Sequence, residues 1–231
     1  MIEAIILAGG FGTRLREIVP DLPKPMAPIS GRPFLEMLLV TLAQKQCRRV
    51  ILSLGYRAEC VVNHFGDCFA GMDLVYEIER KPLGTGGALR QALARCRSDH
   101  VFILNGDTYL DLEVDEIETQ WQKNRLPIIV SRDVPDTMRY GRIDTEGDWI
   151  IRFEEKGVSG RGLINAGVYV FPRGIESEFP MKESFSLEND FLAKAVTRSS
   201  IQFFVSRGKF IDIGIPEDYA RAKLELAEIM L

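Results

Sequence analysis

The sequence predicts one α/β domain, residues 1–231, with parallel strands joined by right-handed crossovers. Three observations predict it. Short apolar runs at Met1–Leu7, Arg49–Leu54 and His100–Leu104 read as buried strands. Helical patterns alternate with such runs, a strand–helix–strand rhythm that gives parallel pairing. The 231 residues are 46% hydrophobic, enough for a sizeable single core.

The elements follow in order. After the first strand, Ala8–Arg14 is glycine-rich and reads as a loop. Pro33–Gln46 is a helix with its proline at the N-terminal end, apolar nearly all round and therefore buried. Arg49–Leu54 is the second strand, Ala58–Phe65 a short helix, and Asp73–Glu79 a strand with alternation. Leu89–Cys96 continues as a helix after a second glycine-rich block, Pro82–Ala88. His100–Leu104 is a strand that ends in Asn105, Gly106, Asp107 and Thr108. Glu113–Lys123 is a surface helix and Pro127–Asp133 a strand. Tyr140–Ile143 and Trp149–Phe153 pair as a hairpin around Asp144–Asp148. Together with the charged turn Glu154–Lys156 and the strand Leu163–Phe171, it would wall the crevice above the sheet. Ser186 is an N-cap opening a helix. Asp212 sits on a short strand before the last helix, Glu217–Met230, with Pro216 early in it.

The chemistry concentrates in the first loop. Gly9, Gly10 and Gly12 let the backbone bend tightly and approach a ligand. Free N–H groups in such a turn form an anion-binding concavity, reinforced by the start of a following helix. Arg14 adds a guanidinium fork suited to phosphate oxygens. Ten residues beyond Arg14, Lys24 is held between Pro23 and Pro25, which stiffen the backbone around it. Loop, arginine and lysine describe a polyphosphate site. Asp107 stands just past the carboxyl end of a parallel strand, where such sheets bind ligands. Asp is a natural Mg²⁺ ligand beside substrate phosphates.

Several classes fit poorly, a nicotinamide-dependent oxidoreductase among them. A dinucleotide fingerprint needs a third glycine where Leu15 stands, and no G-K-[ST] tripeptide exists for a Walker loop. A net charge of −4 with scattered basic residues argues against nucleic acid as a partner. The four cysteines, Cys47, Cys60, Cys68 and Cys96, lack metal spacing and read as reduced thiols of a cytoplasmic protein. The two histidines, His64 and His100, are given no role. No apolar stretch is long enough to span a bilayer, and the N-terminal run lacks the basic region of a secretory signal.

LAGGFGTRL followed by PKPMAPI resembles the signature of the sugar-phosphate nucleotidyltransferases, and the resemblance runs from Ala4 to about Tyr219. It implies a Rossmann-like three-layer sandwich, the nucleotide-diphospho-sugar transferase fold. Its sheet would be mixed and mostly parallel with helices on both faces. The implied reaction joins a nucleoside triphosphate to a sugar 1-phosphate and releases pyrophosphate. Nucleotide binding would fall to Leu7, Ala8, Gly9, Gly10, Gly12, Thr13, Arg14 and Lys24. It would also involve Glu79, Pro82, Gly84, Thr85 and Gly86 around the base, with Asn105 and Gly106. Arg14, Lys24 and Asp107 are the implied catalytic residues. Asp107 and Asp212 would hold Mg²⁺. Tyr140, Gly141, Glu155, Lys156, Asn165 and Gly167 would hold the sugar phosphate. Relatives often have proline after the Glu-Lys pair; here Gly157 stands there.

Within that family, PDLPKPMAPISGRPFLE, LSLGYRAE, LINAGVY, SLENDF and FIDIGIPEDY are similar to the branch that joins GTP to heptose 1-phosphate for bacterial capsule or surface-polysaccharide assembly. Branches acting on mannose 1-phosphate or N-acetylmuramate 1-phosphate stay open, as does a binding module without turnover.

Overall fold

The computed structural model describes residues 2–10, 12, 15, 18–154, 157–198 and 200–227. Among these, the strands are β1 (Ile2–Ala8), β2 (Pro28–Ile29), β3 (Arg32–Pro33), β4 (Cys47–Leu54), β5 (Cys68–Phe69), β6 (Met72–Ile78) and β7 (His100–Asn105). They continue as β8 (Thr108–Leu110), β9 (Ile128–Val134), β10 (Arg142–Glu146), β11 (Trp149–Glu154), β12 (Gly162–Pro172), β13 (Gln202–Val205) and β14 (Phe210–Asp212). The helices are α1 (Phe34–Gln44), α2 (Ala58–Phe65), α3 (Gly84–Leu93), α4 (Val114–Asn124), α5 (Ala193–Ala195) and α6 (Pro216–Glu225). A π-helical stretch, Leu187–Leu192, runs into α5.

Among the described residues a ten-stranded sheet takes the order β10-β11-β13-β9-β12-β7-β1-β4-β6-β5. The sheet is mixed, in two blocks. β7, β1, β4 and β6 are parallel. β12 runs antiparallel to both β7 and β9 and starts the second block, where β10 and β11 form the expected hairpin.

Strand alternation sends side chains to two cores. Ala4 and Ile6 of β1, Val50 and Leu52 of β4 and Phe102 of β7 join one face with α1, α2, α4 and α6. Ile5, Ile51, Val101 and Ile103 join the other, with α3 and the 187–195 segment. Helices therefore cover both faces, as period-two side chains on a doubly buried sheet require. One charge sits inside this layering. Glu3, in β1, pairs with Arg49 opposite it in β4, and its other oxygen accepts the N–H groups of Arg97 and Ser98 at 2.8 and 3.0 Å. Burial acts to raise its carboxyl, but these donors outweigh it and hold Glu3 below its ordinary range. His100 has a structural place: it stacks on Trp121 between Asp99 and Glu118.

Three elements differ from the sequence reading. The α3 helix begins at Gly84 rather than Leu89. Its glycines admit a neighbour: a Cβ on Gly86 would stand 2.1 Å from the Phe185 ring, and Gly86 N–H donates to the Phe185 carbonyl at 2.9 Å. The hairpin strands run on to Glu146 and from Trp149, so the turn tightens to Gly147 and Asp148. The last helix ends at Glu225 among the described residues, with Pro216 in its first turn.

Candidate active site

Two cavities of about 460 Å³ each open along the carboxyl ends of β1, β4 and β7. The first lies over β1, β4 and β6. Leu7, Gly9, Gly10, Glu79, Pro82, Gly84 and Thr85 line it, as the sequence reading placed them. Gly55, Tyr56, Arg80, Lys81 and Ala88 line it too, and the reading missed them. Gly55 had a signal: it directly follows a buried strand, where a parallel sheet opens to ligands. A Cβ there would stand 2.5 Å from the Gly9 carbonyl oxygen, so the two strand-end loops touch backbone to backbone. Glu79 is half-buried, and its Oε2 accepts the Leu83 N–H at 3.0 Å. Burial pushes its carboxyl above the ordinary range, against the smaller pull of the Leu83 N–H.

The second cavity lies over β7, β12 and β14. Asn105, Asp107, Tyr140, Gly141, Asn165, Gly167 and Asp212 line it. Asn105, expected at the nucleotide, lines this cavity and not the first. Its Oδ1 is buried without a hydrogen-bond partner among the described residues. The β12 strand bulges here: Asn165 pairs with Ser131 but Val168 with Val130. The bulge turns on Gly167, whose φ of +72° suits glycine, and a Cβ there would meet Asn105 Nδ2 at 2.7 Å. Gly167 N–H donates to Asn165 Oδ1 at 3.0 Å, which fixes the amide beside the cavity. Tyr140 lies edge-on to Phe210, and the Gly141 carbonyl accepts Asn165 N–H at 2.9 Å. Arg139 pairs with the buried Asp218 of α6 and so anchors this segment.

The cavities adjoin. Leu7, in the first, pairs in register with Asn105, in the second. Gly106 N–H donates to the Leu7 carbonyl at 2.8 Å. Gly106 and Ala8 pack against each other and, like the buried Gly86, line neither cavity. Lys24 is the first residue of a 3₁₀ turn, Lys24–Met26, and, like Gly12, is not among the residues lining either cavity. Its stem packs on Gly12, where a Cβ would stand 2.9 Å from Lys24 Cβ. Its Nζ lies 2.6 Å from Asp107 Oδ2, so the lysine and the acid, 83 residues apart in sequence, meet. Between Gly12 and Val19 the described residues form turns, with Leu15 N–H donating to Gly12 and Val19 N–H to Leu15. Thr13 and Arg14 lie outside the described residues, as do Glu155 and Lys156. Gly157, just after them, has a φ of +113°, which a proline cannot adopt, so the chain takes its own path at this corner.

The two acids read as metal ligands stand side by side. Thr108 pairs with Asp212 where β8 meets β14, and Ile213 N–H donates to the Asp107 carbonyl at 2.9 Å. Both line the second cavity. No group of three or more His, Cys, Asp or Glu able to hold a metal occurs among the described residues. Two carboxylates, all oxygen, with the remaining positions left to water and phosphate, fit a hard divalent cation.

A family model described as nucleotidyl transferase matches residues 3–229. The chain belongs to the nucleotidyl transferase family. It is 39% identical over 226 residues to a D-glycero-alpha-D-manno-heptose 1-phosphate guanylyltransferase of Aneurinibacillus thermoaerophilus, covering 97% of this chain and 98% of that one. It is also 39% identical over 219 residues to the enzyme of the same name from Campylobacter jejuni, covering 94% and 97%. Among solved structures, HddC from Yersinia pseudotuberculosis superposes with a TM-score of 0.88 at 37% identity, over 98% of this chain and 100% of that one. HddC complexed with GMP-PN gives a TM-score of 0.86. These neighbours share the Rossmann-like fold expected from the sequence. Among the described residues of this nucleotidyl transferase, no helix is long and apolar enough to cross a membrane.

Proposed function

We propose that this chain joins GTP to D-glycero-α-D-manno-heptose 1-phosphate, forming GDP-heptose and pyrophosphate. The observation that carries the reading is the pair of adjoining cavities, with Lys24 paired to Asp107 of the second. A phosphate oxygen of the sugar phosphate attacks the α-phosphorus. The bond from that phosphorus to the β-phosphate oxygen breaks, and pyrophosphate leaves with the electron pair. Such transfer is mainly positioning and charge neutralisation, so no nucleophilic side chain is needed.

In this reading the glycine-lined cavity takes the nucleotide through Gly9 and Gly10, and by resemblance Gly12 and Thr13 also serve its phosphates. Arg14 neutralises the leaving pyrophosphate. Lys24 faces the α-phosphate. Asp107 and Asp212 hold Mg²⁺, which supplies charge neutralisation across the phosphates. The second cavity takes the sugar phosphate through Tyr140, Gly141, Asn165 and Gly167; by resemblance Glu155 and Lys156 also serve the sugar phosphate. The names of the relatives support guanylyl transfer to heptose 1-phosphate. Glu79 supports guanine on physical grounds. An ionised carboxylate only accepts hydrogen bonds. Guanine offers it N1–H and N2–H together, whereas uracil and thymine offer a single N–H on that edge.

The reading places the protein in the cytoplasm, as one domain supplying capsule or surface-polysaccharide assembly. Four free thiols fit such a reducing compartment. The test is a panel of four nucleoside triphosphates against heptose, mannose, glucose and N-acetylmuramate 1-phosphates, read by pyrophosphate release with and without Mg²⁺. GTP with heptose 1-phosphate is expected to give the highest kcat/KM. A higher value for mannose 1-phosphate or for UTP would move the chain to that branch. No turnover with any pair, despite nucleotide binding, would make it a binding module.

A further inference from the structure

The SLENDF block carries none of the roles described so far, yet it forms one wall of the second cavity. Ser186, Glu188 and Asn189 line that wall. They sit at the start of the π-helical stretch, an irregularity often found at functional sites.

Three hydrogen-bond chains converge on Glu188. Leu187 N–H donates to Thr85 Oγ1 at 2.8 Å, and that hydroxyl donates to Glu188 Oε2 at 2.8 Å. Asn189 N–H donates to Ser186 Oγ at 3.1 Å, and that hydroxyl donates to the same Oε2 at 3.1 Å. Asn165 Nδ2 donates to the Tyr169 hydroxyl at 2.8 Å, and Tyr169 donates to Glu188 Oε1 at 3.3 Å. Each hydroxyl accepts one hydrogen bond and donates its proton to Glu188, so all three chains run towards this one acceptor. Asn165 cannot turn its oxygen to Tyr169, because that oxygen holds Gly167 N–H.

A carboxylate offers about four acceptor positions. Among the described residues Oε2 uses two and Oε1 one, so Oε1 keeps one, on a residue that lines the cavity. An acceptor of this kind suits a sugar hydroxyl, which donates, rather than a phosphate, whose positive partner here is Lys24, paired with Asp107 of the same lining. Thr85 also lines the nucleotide cavity, so the same carboxylate touches both sites through one hydroxyl.

Resting on the proposed function, we propose that Glu188 is a sugar-contacting residue. It accepts a ring hydroxyl of the sugar 1-phosphate and fixes that ring against the nucleotide site through Thr85. The competing role is a purely structural pin between α3 and the 187–195 segment. The two part on which substrate suffers.

The test uses the full chain, GTP, heptose 1-phosphate and Mg²⁺, with Glu188→Gln and Glu188→Asp. In both variants KM for the sugar phosphate should rise on the order of 10–100-fold, the effect of losing a hydrogen bond to a charged group. GTP affinity, measured by calorimetry without the sugar, should stay within about threefold. The aspartate keeps the charge but withdraws it by one methylene, so it decides the matter where the glutamine variant does not fold. An unchanged sugar KM in a folded variant, or equal loss for both substrates, would overturn the assignment, as would failure of both variants to fold. Inactivity of the wild type against the whole panel is a different result: it removes the proposed function and this inference with it.

Discussion

The two cavities have the same volume, about 460 Å³, but are built by opposite means. The first is largely backbone: glycines at the ends of parallel strands, with Gly9 and Gly55 in van der Waals contact. The second is largely side chain: an aspartate just past β7 of the parallel block, another on β14, an asparagine on the β12 bulge, a tyrosine and a glutamate. In the proposed function the backbone wall serves the nucleotide, the part shared by the relatives that transfer the same nucleotide. A side-chain wall can be rewritten one residue at a time, which suits the part that varies, the sugar. Lys24, packed on Gly12 of the glycine loop and paired with Asp107 of the second lining, forms a junction between the loop and that cavity.

The largest expected effect lies at that junction. Asp107→Asn and Lys24→Ala should each lower kcat by roughly 10²–10³-fold, the usual loss when a preorganised charged group is removed. The fold should survive, because a partly exposed ion pair contributes only about 0–1 kcal/mol. Pyrophosphate release and a thermal melt check both halves. Near-wild-type turnover in either variant would mean that the junction is not where the reaction occurs.

A smaller pair of changes tests the division of labour. Gly55→Ala puts a methyl 2.5 Å from the Gly9 carbonyl oxygen, so backbone must shift at the nucleotide cavity alone. Displacement of an ångström can cost up to about 100-fold; a loss of roughly tenfold in KM for GTP is expected, with the sugar phosphate KM little changed. Asn165→Ala should do the reverse, raising KM for the sugar phosphate by roughly tenfold through one lost hydrogen bond. Steady-state kinetics with each substrate varied in turn would show it. If Asn165→Ala weakened GTP as much as sugar phosphate, the two cavities would be one site.

The same contrast explains what could be read from sequence. The first cavity was legible because glycines, prolines and strand ends lie close together along the chain: Gly9, Gly10, Pro82 and Gly84 are where the motifs put them. Gly86 misled because a glycine admits a neighbour as readily as a ligand, and here the neighbour is Phe185. The sheet's parallel block followed from its apolar runs. The antiparallel block did not, because β12 inserts beside β7 from far along the chain. For the second cavity, Asp107 announced itself at a strand end, whereas Asp212, Tyr140 and Asn165 came only through resemblance. Glu188 was part of a quoted motif, but its role depends on Thr85, 103 residues away, and on Tyr169, which local pattern cannot bring together.

Glu79 gives the smallest and most discriminating effect, because it is a side chain in the backbone-built cavity. Burial raises its carboxyl above the ordinary value near 4.5. A raised folded-state pKa means that its favourable contribution to stability is complete below the unfolded value and is lost as pH rises through the folded one. At neutral pH the ionised Glu79 therefore weakens the fold slightly while offering guanine two acceptor oxygens. Glu79→Gln should melt at a slightly higher temperature at pH 7, with the gain vanishing as the pH falls towards 4.5. Its KM for GTP at pH 7 should rise by roughly three- to tenfold, with preference over UTP reduced. In the wild type, KM for GTP should climb as acid protonates the carboxylate. The ratio of wild-type to variant KM cancels titration of the nucleotide itself, so that ratio should approach one at low pH. A ratio independent of pH would remove Glu79 from base recognition and leave the nucleotide cavity read by backbone alone.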